Sequence, residues 1–142
     1  MSELLSAESI IVHLANRIDI DWVAGEEDPE KPLHEVHLSD HATLIGHLNL
    51  IRKNIIQVIG EKECEYLKNI DEHLRFGTLL QLFASDTVAI ILADDLDVQD
   101  ELVEFANKHS VPLLKTSADS NDVVDSVRYY LNDLFSDKQV LH

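Results

Sequence analysis

Residues Val88 to Lys115 read VAIILADDLDVQDELVEFANKHSVPLLK. Val88 to Leu92 is a continuous apolar strand, the kind buried on both faces of a parallel sheet. Val98 to His109 follows as a helix that turns Leu102, Val103, Phe105 and Ala106 inward, and Pro112 to Lys115 is the next strand. Strand, helix and strand at this spacing imply a crossover and parallel neighbours. Asp119 to Phe135 closes the pattern as an amphipathic helix with Val123, Val124, Val127, Tyr130, Leu131 and Leu134 on its apolar side. Asp119 or Asn121 is placed to cap it. The expected fold class is α/β, a mostly parallel sheet with flanking helices.

Upstream, Glu61 to Ile70 and Glu72 to Ala84 read as two helices, preceded by a short buried strand, Asn54 to Ile59, that Gly60 closes. Ala42 to Ile51 is ambiguous between a helix and a loop with apolar anchors. Leu48, Leu50 and Ile51 there are read as buried core in preference to an exposed interface patch. Leu33 to Leu38 alternates as an edge strand, and Gly25 to Pro32, polar with two prolines, is a loop. Ile18 to Ala24 alternates as a half-buried strand with Ile18, Ile20 and Trp22 on one side. Ser6 to Arg17 carries the helical stripe Ile10, Ile11, Leu14 and Ile18, with Ser6 at its start.

Composition narrows the class. The 142 residues suit one domain, 1–142, and 45% of them are hydrophobic, which fits a folded chain. No apolar run approaches the ~20 residues that span a bilayer. The N-terminus lacks the basic stretch of a signal peptide, and one cysteine, Cys64, fits a reducing cytoplasm. The net charge of −16, from 27 acidic against 11 basic residues, argues against nucleic acid as a partner, since no Lys/Arg stripe is present to neutralise phosphates.

Candidate chemistry is sparse. His34, His37, His41 and His47 have metal-like spacing, yet His34 and His37 point to opposite faces of a strand, so the expectation is no metal site. Asp94, Asp95, Asp97, Asp100 and Glu101 follow a strand, where α/β ligands bind, but carboxylates entering a helix are favoured by its dipole, and capping by Asp97 is the preferred reading. Thr116 and Ser117, after the last strand, together with Gly60, are the small-anion candidates at the carboxyl edge; ordinary turn chemistry is the competing account. Glu61, Glu63 and Glu65 around Cys64 disfavour a thiolate. The four glycines, at 25, 46, 60 and 77, cannot build a G-x-x-x-x-G-K-[ST] loop. No catalytic residue, bound cofactor or metal is therefore expected in this chain.

Leu44, Gly46, Asn49, Asn54, Ile56, Gln57, Val58, Gly60, Glu63, Tyr66 and Leu67 follow the wording LxGxxN…N-x-IQVxGxxExxYL. In this the chain resembles the N-terminal domain of bacterial HPr kinase/phosphorylase. The resemblance extends to Trp22-Val23-Ala24-Gly25, to Ala89–Ala93 and to Val111-Pro112-Leu113-Leu114, and Val140-Leu141-His142 is similar to the start of the strand that opens the kinase domain. It departs at Ser39-Asp40-His41-Ala42, where many members carry R-P-G-L. The resemblance implies an α/β fold similar to the N-terminal domain of Mur ligases. It also implies a two-domain cytoplasmic enzyme, hexameric in the family, whose C-terminal P-loop domain phosphorylates a serine of HPr with ATP or pyrophosphate and Mg²⁺, reverses that reaction, and serves carbon-source control. The P-loop domain is absent from these 142 residues. Two functions are weighed: a noncatalytic regulatory or assembly domain of that enzyme, partnered by its own kinase domain, and a free-standing small-ligand-binding module. The related DRTGG-type domain shares the strand–helix–strand half, but its namesake motif is missing here.

Overall fold

The apolar run that begins at Val88 lies at the centre of a five-stranded sheet. The computed structural model describes residues 2–26, 34–37, 45–47, 56–84 and 87–140. Their elements are, in chain order, β1 (Ser2–Leu5), α1 (Ala7–Leu14), β2 (Asp21–Ala24), β3 (His34–His37), β4 (Ile45–His47), β5 (Ile56–Ile59), α2 (Glu61–Asn69), α3 (Glu72–Leu82), β6 (Ala89–Leu92), α4 (Asp100–His109), β7 (Leu113–Lys115) and α5 (Ser120–Val140). The main sheet has the order β2-β7-β6-β5-β4. Its β4–β5, β5–β6 and β6–β7 pairs are parallel, and β2 joins β7 antiparallel. The fold is α/β with a mostly parallel sheet, as the strand–helix–strand pattern predicts.

Side-chain alternation along β6 sorts the molecule into layers. Ala89 and Ile91 join Ile56, Val58 and Leu114 in a core closed by Ile10 and Leu14 of α1 and by Val123, Val127 and Leu131 of α5. Ile90 and Leu92 join Ile59 and Leu113 in a second core closed by Cys64 of α2, Leu79 and Leu82 of α3, and Leu102 and Ala106 of α4. Every residue of β5 and β6 is fully buried, which is why β6 reads as an unbroken apolar run; β5 carries one polar side chain, Gln57, in its buried run. Burying each Ile or Leu contributes about 1.5–3 kcal/mol, so these two cores dominate the stability of the sheet.

Several expectations change. Ser2–Leu5 forms a strand that no pattern announced; it pairs antiparallel with β3 in a separate two-stranded sheet. Ile45–His47, ambiguous in sequence, is the parallel edge strand β4. Leu48, Leu50 and Ile51 lie outside the described residues. The Ile18–Ala24 strand begins only at Asp21, and Trp22 is not on the inward side with Ile20: Ile20 is 9% exposed and Trp22 39%. A register shift between Trp22 and Ala24 breaks the alternation at this sheet edge. Helix α4 starts at Asp100 with Gln99 at the cap position, so Asp97 does not cap it. At the start of α5, by contrast, Asp119 Oδ1 accepts from the N–H of Asn121 at 2.6 Å and of Asp122 at 3.4 Å.

Candidate functional site

Parallel strands β5, β6 and β7 end at one edge, and three turns leave it: Gly60 into α2, Asp94–Asp95 toward α4, and Thr116–Asp119 into α5. This is the edge at which open α/β sheets place ligands. Glu61, Lys62, Glu63, Asp94, Ser120 and Asn121 line an open cleft of about 350 Å³ there.

Asp94 organises the cleft. Its Oδ2 accepts the N–H of Glu61 at 2.7 Å, and its Oδ1 accepts the N–H of Ser120 at 2.9 Å. One carboxylate thus meets the first turn of α2 and of α5, where free N–H groups and the helix dipole favour negative charge. Backbone geometry aims it there: Asp94 and Asp95 are both left-handed, with φ of 60° and 55°. Left-handed residues other than glycine cost roughly 1–2 kcal/mol each. Hydrogen bonds from Asp94 N–H to Ala118 O (2.8 Å) and from Asp95 N–H to Thr116 O (3.2 Å) hold that turn. Gly60 makes room for it, since a β-carbon at this position would lie 2.7 Å from Asp94 Oδ2 and 3.0 Å from Ser120. The Gly60 N–H is taken by Glu63 Oε1 at 2.7 Å, the reciprocal half of an N-terminal box.

The neighbouring turn is filled in the same manner. Asp19, between α1 and β2, accepts the Ser117 hydroxyl at 2.6 Å, the Ser117 N–H at 3.1 Å and the Thr116 hydroxyl at 3.4 Å. The Ser117 hydroxyl, and after it the Ser117 N–H, hold the Asp19 carboxyl below the ordinary aspartate value of 3.8. The three small-anion candidates therefore do share one edge, but their polar groups face carboxylates of this chain: Gly60 faces Glu63, and Thr116 and Ser117 face Asp19. Asp19, Asp94 and Ser120 were missed in sequence as organising residues. Asp94 looked like one member of an acidic run, and nothing local links Asp19 to a turn 98 residues away.

The remaining candidates are scattered. His34 and His37 lie on β3 of the two-stranded sheet and His47 on β4 of the main sheet, while His41 is outside the described residues. Among the described residues no three His, Cys, Asp or Glu side chains are grouped to hold a metal ion. Cys64 is buried against the second core, with Gln99 Nε2 3.7 Å from its sulfur. No helix of the described residues is long and apolar enough to cross a membrane.

Residues 6–131 match the family described as HPr Serine kinase N terminus. Among curated relatives, the HPr kinase/phosphorylase of Bordetella petrii is 30% identical over 139 residues, covering 98% of this chain and 45% of the relative. The proteins of the same name from Paraburkholderia xenovorans and Cupriavidus necator are each 30% identical, over 141 and 142 residues, covering 97% of this chain and 44% of theirs. The chain thus spans a little under half the length of these relatives.

Proposed function

The chain belongs to the HPr serine kinase N-terminal family, and from that premise we propose that it is a noncatalytic regulatory or assembly domain of an HPr(Ser) kinase/phosphorylase. The observation that carries this reading is the self-satisfied carboxyl edge. Where an α/β enzyme presents open N–H groups to substrate, this chain presents them to Asp94, Glu63 and Asp19. A phosphate entering either turn must displace an internal carboxylate, and in the cleft it meets Glu61, Glu63 and Asp94 against Lys62, the one cation among the described lining residues. Phosphoryl transfer to and from HPr, with ATP or pyrophosphate and Mg²⁺, then belongs to the half of the relatives that this chain does not match. The second reading, a small-ligand module, is favoured only by the cleft itself.

The test replaces the matching half of the Bordetella petrii protein with this chain and measures phospho-HPr formed from ATP and Mg²⁺. The chimera is expected to phosphorylate HPr, and the 142-residue chain alone to form none. Phospho-HPr from the chain alone overturns the noncatalytic reading; an inactive, correctly folded chimera overturns the assignment to this enzyme.

A further inference from the structure

Helix α3 is apolar on both sides. Thr78, Leu79 and Leu82 are buried beneath it, yet Leu74 and Phe76 are each 54% exposed and Leu80 is 42% exposed. Phe76, Gly77 and Leu80 follow the i, i+1, i+4 positions of one outer stripe, and Phe76 is braced by an edge-on contact with Phe105 of α4, with ring centroids 5.7 Å apart. Soluble surfaces scatter single apolar residues, whereas a contiguous stripe marks a contact site. Gly77 is the second observation. It sits in mid-helix, where glycine is the poorest residue after proline, and a β-carbon added to it would meet nothing within 4 Å. The packing of the described residues gives no reason for a glycine there. A notch between Leu74 and Leu80, three residues to either side, does give one, because it admits the backbone of a second helix.

Charge decides what the second helix carries. Asp71 and Glu72 open α3, while Asp100, Glu101 and Glu104 line α4 beside it, and the whole chain bears −16. Of the Lys and Arg side chains on these two helices, Arg75 is already paired with Glu101 at 3.2 Å, which leaves Lys108 against Asp71, Glu72, Asp100 and Glu104. Two copies of such a surface repel each other, and a cationic partner is drawn in. We propose that the outer face of α3 docks an amphipathic helix of a partner protein, with apolar residues seated on Phe76 and Leu80, its backbone crossing at Gly77, and Lys or Arg along its flanks. This names the partner chemistry of the regulatory or assembly role and rests on that reading.

The probe is a fluorescein-labelled 18-residue Leu/Lys amphipathic helix, with a Leu/Glu peptide of the same pattern as control, titrated with the 142-residue chain while anisotropy is read. Saturable 1:1 binding of the Leu/Lys peptide alone is expected. It should weaken at least tenfold in Phe76→Ser/Leu80→Ser and in Gly77→Ala, and stay unchanged in Val12→Ser/Tyr129→Ser on the opposite face of the sheet. Gly77→Ala is the sharper variant, because it is expected to raise the melting temperature of the domain while lowering peptide affinity, which a folding defect cannot do. Binding that ignores the α3 substitutions, or no binding, overturns the proposal. So does an α3-dependent dimer in sedimentation velocity, which assigns the face to a second copy. Failure here leaves an active chimera unaffected, so the two readings fall separately.

Discussion

At the scale of single residues, the chain answers its own unsatisfied backbone groups with its own carboxylates. Asp19 gives this a pH signature. Its carboxyl is held below the ordinary 3.8 by Ser117, so its contribution is fully present above the unfolded value and is lost as pH falls through the lower, folded one. Urea melts of the chain and of Asp19→Asn at pH 7 are therefore expected to differ in midpoint, and the difference to close as pH drops below about 4. An unchanging gap from pH 7 to pH 3 would show that the asparagine variant loses geometry and not charge. Only half of this arrangement was legible in the sequence. Thr116, Ser117 and Gly60 stand out as residues of a polar edge, because hydroxyls and glycine after a strand have a recognisable role. What faces them does not, because Asp19 and Asp94 reach their partners across 98 and 33 residues. Local spacing carries no information at that range.

Elements show the complementary pattern, in which buried ones were readable and edges were not. The parallel strands β5, β6 and β7 and helices α2 to α5 follow from apolar runs and helical stripes, since their side chains meet cores on one or both faces. At the sheet's edge, β2 defied its alternation because a bulge re-aims Trp22, whose indole N–H bonds back to Gly25 O at 2.6 Å and Ala24 O at 3.1 Å. Strand β1 was invisible because four residues are too few to establish a period. The exit of β2 depends on Gly25. Its φ is +71°, its N–H is bonded to Asn107 Oδ1 at 2.8 Å, and a β-carbon would stand 2.0 Å from the Val111 carbonyl oxygen. Gly25→Ala is expected to cost about 2–4 kcal/mol, from left-handed strain and displacement of the α4–β7 turn. A stability from urea melts that matches the parent's within the roughly 10–15% error of the extrapolation would mean that the edge strand detaches freely.

For the whole molecule, the sign of its charge governs behaviour more than any one contact. With 27 acidic and 11 basic residues, like charges are neighbours by default. Asp95, Asp97 and Asp100 are exposed and follow each other closely from β6 into α4. The Arg75–Glu101 pair, partly exposed on both sides, returns at most about 1 kcal/mol. Repulsion spread over many weak, long-range pairs is what salt screens best: the screening length falls from ~30 Å at 0.01 M to ~10 Å at 0.1 M. Unfolding relieves this repulsion by separating the charges, so screening favours the folded state. Raising NaCl from 10 to 300 mM is expected to raise the melting temperature by roughly 3–6 °C, which is of the size that a gain of about 1–2 kcal/mol produces in a domain of this length. KCl at equal ionic strength should reproduce the rise. A flat or falling curve would show that attractive pairs outweigh the acidic excess. A larger rise with MgCl₂ at matched ionic strength would show instead that carboxylates of the chain bind the cation directly.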